Sequence, residues 1–160
     1  MLVAIDEDAA ELYAQSGIPL ALAADHPFSV AERALWTSSL EQGFCHIAVD
    51  GSGNAVGFAA LGELDGTAYL DQLSVRLSAM RRGVGSRLLE AAIGWARARQ
   101  HPSLTLTTYS HLPFNRPFYE RRGFATLASA DVTPGLAHHL DEQRRHLPLP
   151  EQRIAMRRAL

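Results

Sequence analysis

Residues 68–91 read AYLDQLSVRLSAMRRGVGSRLLEA, and three elements follow one another in this stretch. An apolar-rich run up to Val75 predicts a β-strand, a basic loop ends in Gly83-Val84-Gly85, and apolar residues at helical spacing then predict a helix. Amide N–H groups at a helix N-terminus point outward, and the helix dipole favours an anion there. Glycine lets a ligand approach the backbone because it has no Cβ. The stretch therefore has the arrangement of a phosphate-binding loop.

Several kinds of protein use such a loop, and two of them are excluded by residue type. A Walker A loop needs a lysine after its second glycine, and this loop has none. A dinucleotide-binding fingerprint needs a third glycine where Leu88 stands. A bare Gly-x-Gly also suits an ordinary helix entry that needs two small residues. The loop alone leaves a coenzyme site and a plain helix entry as alternatives.

A second stretch, residues 113–124, reads PFNRPFYERRGF. Together with LSVRLSAMRRGVGSRLL it closely resembles the two cofactor segments of the GNAT acyl-CoA N-acyltransferases. In that family a strand ending in Val is followed by Gln/Arg-x-x-Gly-x-Gly/Ala and a helix, and a short helix carrying Tyr precedes a later Gly-Phe. The resemblance covers about residues 45–125. Met80 stands at the Gln/Arg position, so the cradle implied here is made of backbone, with Arg81 and Arg82 supplying charge.

The residue pattern predicts mixed α/β secondary structure over the whole chain. Strands are expected at 2–5, 44–49, 55–64, 67–75, 103–109, 124–129 and 151–158. Helices are expected to be capped by Asp6 and by Ser29 with Glu32, and to cover 84–100, 115–122 and 136–147. A strand, a crossover helix and another strand place 68–75 and 103–109 parallel and adjacent.

The resemblance implies one GNAT domain over residues 1–160. Its fold class is α/β (α+β mixed): a central mixed, mostly antiparallel sheet of six to seven strands, flanked by four to five helices. In that fold the two central parallel strands splay apart and the pantetheine arm lies in the gap.

The resemblance also implies which residues bind the coenzyme and which catalyse. The cofactor-binding residues are Leu73, Val75, Arg81, Arg82, Gly83, Val84, Gly85, Ser86, Asn115 and Tyr119. The catalytic residues are Tyr119, as general acid towards the departing sulfur, and Asp71, as base. The main-chain N–H near Val75 is expected to stabilise the oxyanion.

Each assigned side chain has a simpler alternative. Tyr119 also reads as an aromatic packed beside Phe118 and Phe124, and Asn115 as the N-cap of a short helix. Asp71 shares a predicted strand face with Val75, because side chains alternate along a strand. The same position also fits a carboxylate that only binds the substrate and takes no proton. Glu63 and Tyr69 are alternative candidates for the base.

Composition limits the class of protein. The 160 residues contain 47% hydrophobic and 20% charged residues, as in ordinary globular domains. One cysteine, Cys45, excludes an internal disulfide, fits a cytoplasmic setting and reads as a core residue. The N-terminus predicts no signal peptide, and no stretch reaches transmembrane length.

Charge is divided unevenly along the chain. All fifteen basic residues are arginine; residues 1–80 hold eleven acids and two arginines, whereas residues 81–160 hold six acids and thirteen arginines. One interpretation is that the acidic half and the basic half of the chain attract each other. The other is that the arginines face a polyanionic coenzyme and the carboxylates face a cationic amine.

The leading hypothesis is an N-acetyltransferase that uses acetyl-CoA and a primary amine of a small molecule or peptide. The alternatives are a non-catalytic acyl-CoA-binding module and a nucleotide-binding regulator. No nucleic acid and no membrane is expected as partner, and the oligomeric state, a homodimer included, is left open. His26 reads as a loop histidine, and His138, His139 and His146 as a polar helix face with no metal.

Overall fold

The computed structural model describes residues 1–20 and 22–160. Six strands lie in one sheet: β1 (Cys45–Val49), β2 (Ala55–Leu64), β3 (Thr67–Val75), β4 (Ser103–Tyr109), β5 (Ala125–Thr126) and β6 (Arg153–Ala159). Their order is β1-β2-β3-β4-β6-β5. β3 and β4 are parallel, whereas β1 pairs with β2, and β6 with both β4 and β5, in antiparallel fashion. The predicted mixed sheet with a central parallel pair is confirmed.

Five α-helices accompany the sheet within these residues. They are α1 (Leu2–Gln15), α2 (Pro27–Glu41), α3 (Val84–Ala98), α4 (Arg116–Glu120) and α5 (Pro134–His146). Short 3₁₀ turns cover Leu77–Ala79, Ser129–Asp131 and Pro150–Gln152. No helix among the described residues is long and apolar enough to cross a membrane.

The parallel pair has a short register. Residues 68–70 of β3 pair with residues 104–106 of β4, from Ala68 with Leu104 to Leu70 with Leu106. β3 then continues for five more residues to Val75. The adjacency expected from the strand, helix and strand pattern is confirmed.

The predicted strand at residues 2–5 is wrong, because α1 begins at Leu2. Leu2, Ile5 and Ala9 are buried at helical spacing, and four residues are too few to reveal that period. Asp6 therefore lies inside a helix, and the prediction that it caps one is also wrong. Gly17, with φ +81°, follows the end of the helix as expected.

Several other boundaries differ from the predicted ones; β6, for example, begins at Arg153 instead of residue 151. α2 begins at Pro27, and the side chain of His26 caps it by accepting the N–H of Phe28 at 3.2 Å, so the predicted Ser29–Glu32 capping box is wrong. Proline suits a first helical position because it has no N–H to satisfy. β5 is only two residues long, because the 3₁₀ turn Ser129–Asp131 replaces the end of the predicted strand.

The chain forms two compact units, residues 1–62 with 71–95 and residues 63–70 with 96–160. In the first unit the core joins α1, α2 and the first two strands. Its buried members are Leu2, Ile5, Trp36, Phe58 and Ala60, with the rings of Trp36 and Phe58 5.6 Å apart. Cys45 packs against this cluster, as the sequence predicted for a core residue.

In the second unit α5 packs over the sheet. Tyr69, Leu136, Leu140 and Ala155 form its buried cluster. The start of α5 is held from a distant turn, because the Asp65 carboxylate accepts the Thr133 hydroxyl and the N–H groups of Gly135 (2.9 Å) and Leu136 (3.2 Å). These are N–H groups that a helix leaves without an internal partner. Asp65 is thus an external cap for α5.

Replacing this cap should destabilise the protein in a pH-dependent way. The Thr133 hydroxyl first, then the amides of Leu136 and Gly135, lower the pKa of Asp65. A depressed carboxyl pKa stabilises the folded state above the unfolded-state pKa, and this contribution is lost as the pH falls through the folded value. We expect Asp65→Ala to lower the melting temperature at pH 7, with the difference from wild type shrinking in acid. Asp131→Ala, at an exposed aspartate in the 3₁₀ turn just before α5, is the matched control.

An equal loss for Asp65→Ala at pH 7 and in strong acid would show that the carboxylate charge contributes nothing to the cap. A calorimetric pH series on the three proteins makes the comparison.

Candidate active site

β3 passes into the basic loop through a fixed turn. The N–H of Arg76 donates to the Val56 carbonyl at 2.8 Å, and its Nε to the Ala55 carbonyl at 3.2 Å. The N–H of Leu77, the first residue of the following 3₁₀ turn, donates to the Asp8 carboxylate at 2.7 Å. The start of the loop is therefore held by β2 and by α1.

The loop itself turns at two residues with positive φ. Arg81 has φ +58° and Gly83 has φ +77°, and both are exposed, as is Arg82 between them. A Cβ built on Gly83 would meet nothing within 4 Å. The turn therefore has open space at Gly83 and carries two exposed arginine side chains.

The turn leads directly into the N-terminus of α3. Arg87 is bonded within the helix, its N–H donating to the Gly83 carbonyl at 3.0 Å. Helical geometry directs the preceding amides, those of Val84, Gly85 and Ser86, outward along the axis. Val84 is buried and anchors the helix start, whereas Gly85 and Ser86 are partly exposed. An anion placed here would meet amide N–H groups, the positive end of the helix dipole and the two loop arginines.

Asp71 lies on β3, four residues before the strand ends at Val75, and on the same strand face. Burial raises the pKa of Asp71 to about 7. A carboxyl that titrates near neutral pH exists in both forms under ordinary conditions, which suits a group that must take up a proton and release it.

The opposite face of β3 carries a buried polar network that the sequence pattern did not predict. The Asp6 carboxylate accepts Gln72 Nε2 and Ser74 Oγ, each at 2.7 Å. Burial raises the pKa of Asp6, and these two hydrogen bonds oppose the rise. The available signal was position, since Asp6 continues the apolar stripe of α1 set by Leu2 and Ala9. The network ties α1 to the strand that carries Asp71.

The two rival bases are engaged elsewhere. Glu63 is exposed and lies 3.0 Å from His101 Nε2. Tyr69 is buried in the core of the second unit, with its hydroxyl 3.2 Å from Thr107 Oγ1 and its ring against that of His139. Asp71 is the candidate base that this arrangement favours.

Asn115 and Tyr119 belong to the second unit. Asn115 is buried and occupies the N-cap position of α4, where its carbonyl accepts the N–H of Tyr119 at 3.1 Å; among the described residues its side chain makes no capping hydrogen bond. Tyr119 is buried with its ring 5.1 Å from that of Phe118 and 5.7 Å from that of Phe124. The packing expected of Tyr119 is present, and its role as an acid stays a prediction.

The remaining candidates form no reactive centre. In residues 1–20 and 22–160 no group of three His, Cys, Asp or Glu side chains is placed to hold a metal ion. His146 lies 3.7 Å from Glu142 on the same helix. Burial raises the pKa of Cys45, which disfavours the thiolate that a nucleophile requires.

Comparison with known proteins gives one family and a shared fold. The model of the family described as "Acetyltransferase (GNAT) family" matches residues 7–124. A GNAT-family acetyltransferase from Staphylococcus aureus superposes with a TM-score of 0.67 at 17% identity, over 98% of this chain and 91% of its own. Rv2747 from Mycobacterium tuberculosis, solved with CoA, superposes with a TM-score of 0.61 at 18% identity. The match covers 82% of this chain and 93% of the Rv2747 chain.

A third structure is from Bacillus anthracis, a protein provisionally named a streptothricin acetyltransferase and solved in complex with acetyl-CoA. It superposes with a TM-score of 0.56 at 23% identity, over 72% of this chain. The match spans only 61% of the Bacillus anthracis chain. At these identities the three structures show a common fold.

Proposed function

The chain belongs to the acetyltransferase (GNAT) family, and from this premise we propose that it transfers an acetyl group from acetyl-CoA to an amine. The acceptor is a primary amine of a small molecule or peptide, which attacks the thioester directly in a ternary complex. Proteins of the same fold have been solved with acetyl-CoA and with CoA, which supports acetyl-CoA as the co-substrate.

The observation that carries the proposal is the exposed turn at Gly83 at the start of α3. It combines outward amides, a helix N-terminus and the arginines at 81 and 82 without any described residue covering Gly83. A diphosphate has the charge and the acceptor oxygens that this arrangement stabilises. We assign the pyrophosphate of the coenzyme to the backbone from Arg81 to Ser86, and its pantetheine arm to Asn115, Leu73 and Val75.

The reaction then needs a base, an oxyanion donor and an acid. An alkylamine has a pKa of about 10.4, so it must lose a proton before it attacks. Asp71, whose pKa is raised to about 7, accepts this proton before the C–N bond forms, and the proton that the nitrogen sheds after bond formation passes to solvent. The N–H near Val75 donates to the oxygen of the tetrahedral intermediate, which is worth about 2.7–4 kcal/mol of barrier for one such donor.

Collapse of the intermediate breaks the C–S bond, and Tyr119 protonates the departing sulfur. A phenol of pKa about 10 is neutral at pH 7 and can donate, and the thiol formed has a pKa of about 8.5. The products are the amide and CoA, and Tyr119 regains its proton from solvent. The burial of Tyr119 keeps water from competing for that proton.

A turnover assay over a panel of amines tests the proposal, with free thiol release as the readout. Acetyl-CoA should be consumed in the presence of at least one amine of the panel. It should stay intact when no amine is added. Binding of CoA with no turnover for any amine would instead identify a non-catalytic acyl-CoA-binding module. Heat protection by ATP or NAD in preference to CoA would identify a nucleotide-binding regulator.

Tyr119→Phe isolates the acid. The ring contacts with Phe118 and Phe124 survive this change, so we expect unchanged CoA affinity and a loss of kcat of about 10²- to 10⁴-fold. The Kd for CoA and kcat are measured on the same preparation, with Tyr13→Phe on α1 as control. Equal losses in affinity and turnover would contradict the acid role.

The setting of the enzyme follows from the same proposal. The reaction requires acetyl-CoA and an amine and no nucleic acid, and a single cysteine suits the reducing cytoplasm. A homodimer remains an open prediction, which sedimentation would decide.

A further inference from the structure

Arg153, the first residue of β6, is a buried arginine that the proposed reaction does not use. Its exposed fraction is 8%, and its guanidinium carbon lies 4.6 Å above the centre of the Tyr109 ring. Within residues 1–20 and 22–160, no carboxylate lies at ion-pair distance from this guanidinium. A buried cation with no counter-charge destabilises the folded state, because no opposite charge offsets the loss of its hydration.

The Arg153 guanidinium also lacks acceptors for some of its N–H donors. Nη2 donates to Gln143 Oε1 at 2.8 Å and to Thr107 Oγ1 at 3.2 Å, both neutral oxygens. Nε is buried and has no acceptor among the described residues. A guanidinium has five N–H donors, so the side chain is held in place by one nitrogen while other donors remain available.

Neighbouring groups add no negative charge. Burial, followed by the charge of Arg153, lowers the pKa of His139, which keeps that imidazole neutral. The acids of α5 are engaged by other cations, Asp141 with Arg144, and Glu142 with Arg145 and His146. The positive charge of Arg153 is therefore uncompensated by the groups around it.

The guanidinium lies beside Thr107 of β4. Thr107 is the one residue of β4 that is only partly buried, and the other six are buried. Its Oγ1 contacts both Arg153 and the Tyr69 hydroxyl. Tyr69 and Asp71 are two residues apart on β3 and share a strand face.

We infer that Arg153 binds a carboxylate on the amine acceptor, so that the substrate is an amino acid or another amine bearing a carboxylate. This inference rests on the proposed function and names its substrate class. One guanidinium balances the single charge of a carboxylate, whereas a phosphate of about −1.5 to −2 would stay partly unbalanced. Gln143 and Thr107 hold the guanidinium in the orientation that presents its remaining donors.

Matched acceptor pairs test the inference, each an amino acid and its carboxamide, such as leucine and leucinamide, across the common side chains. The variants are Arg153→Met, Arg153→Lys and the exposed control Arg145→Met. Truncating one partner of a buried charge pair typically weakens binding by about 30- to 5000-fold, so we expect Arg153→Met to lower kcat/KM for the amino acid by about 30-fold or more. The carboxamide should be unaffected, and the ratio within a pair cancels differences in amine reactivity.

Arg153→Lys retains the charge with fewer donors and should raise KM for the amino acid while leaving kcat near wild type. A purely structural role for Arg153 predicts equal losses for both members of a pair and would overturn the inference. Turnover of carboxamides and alkylamines with no advantage for carboxylates would overturn it too, while leaving the proposed function in place.

If no amine at all is acetylated, the proposed function fails and ligand-induced melting shifts decide the inference separately. Leucine should then stabilise wild type and Arg145→Met but not Arg153→Met, with leucinamide inactive on all three. No shift for any amino acid of the panel overturns the inference. Should Arg153→Met fail to fold, the same comparison is made with Arg153→Lys, whose shift should be smaller than that of wild type.

Discussion

Gly83→Glu should abolish CoA binding while leaving the protein folded. The new carboxylate would stand at the exposed turn where we place the pyrophosphate. A unit charge about 4 Å from a phosphate, at an effective dielectric constant near 20, costs about 4 kcal/mol. This corresponds to a loss of affinity of about 1000-fold, measurable by calorimetric titration with CoA.

Two controls separate charge from backbone strain. Gly83→Ala introduces a Cβ at the same φ of +77° with no charge, and a Cβ there meets nothing within 4 Å. Gly53→Glu places the same side chain at φ +82° in the turn between β1 and β2, also with nothing within 4 Å. Both controls should bind CoA far better than Gly83→Glu. Undiminished CoA affinity in Gly83→Glu would remove this turn from the binding site.

Asp71→Asn should have the second largest effect, a fall in kcat of about 10²- to 10⁴-fold, because the amide cannot accept the proton of the amine. In wild type a base with a pKa of about 7 must be ionised, so kcat should rise with pH through neutrality. The variant should lose that inflection and retain only the rise that follows deprotonation of the free amine. A pH–rate profile of both proteins makes the test.

The same substitution should change stability in the opposite direction. Because the folded-state pKa of Asp71 is raised above the ordinary aspartate value of 3.8, stability is greatest below that value and falls as the pH rises to about 7. Asparagine does not ionise, so Asp71→Asn should melt at a higher temperature than wild type at pH 8. Asp131→Asn, at an exposed aspartate in the 3₁₀ turn before α5, is the control. Full activity in Asp71→Asn would leave Asp71 as a binding carboxylate only.

Several elements follow from local sequence with little error. β2, β3 and β4 begin and end at the residues that alternation and turn chemistry indicated, and Asp65-Gly66 forms the expected tight turn, with φ of 52° and 74°. The helix after the glycine loop begins at Val84 as predicted. The paired motifs at 73–89 and 115–124 led to the GNAT family, which the match over residues 7–124 confirms.

The failures share a physical cause. The N-terminal strand and the two predicted caps were inferred from one to four neighbouring residues, and serine, aspartate and histidine can all cap a helix when the chain brings them to its end. In the structure Asp6 is hydrogen-bonded to Gln72 and Ser74, which lie 66 and 68 positions further along the chain. His26 caps α2. Nothing within a few residues of Asp6 or His26 specifies these partners.

The amino-acid sequence by itself determined the central strands β2, β3 and β4, the glycine loop and the family, because alternation, backbone conformation and short motifs are encoded over a few neighbouring residues. Tertiary structure alone decided the pKa of Asp71, the external cap that Asp65 provides to α5, and the burial of Arg153 without a counter-charge. Each of these depends on how much water is excluded and on which distant groups pack nearby. Desolvation and pairing are set by the folded surroundings of a side chain, whatever its neighbours in sequence.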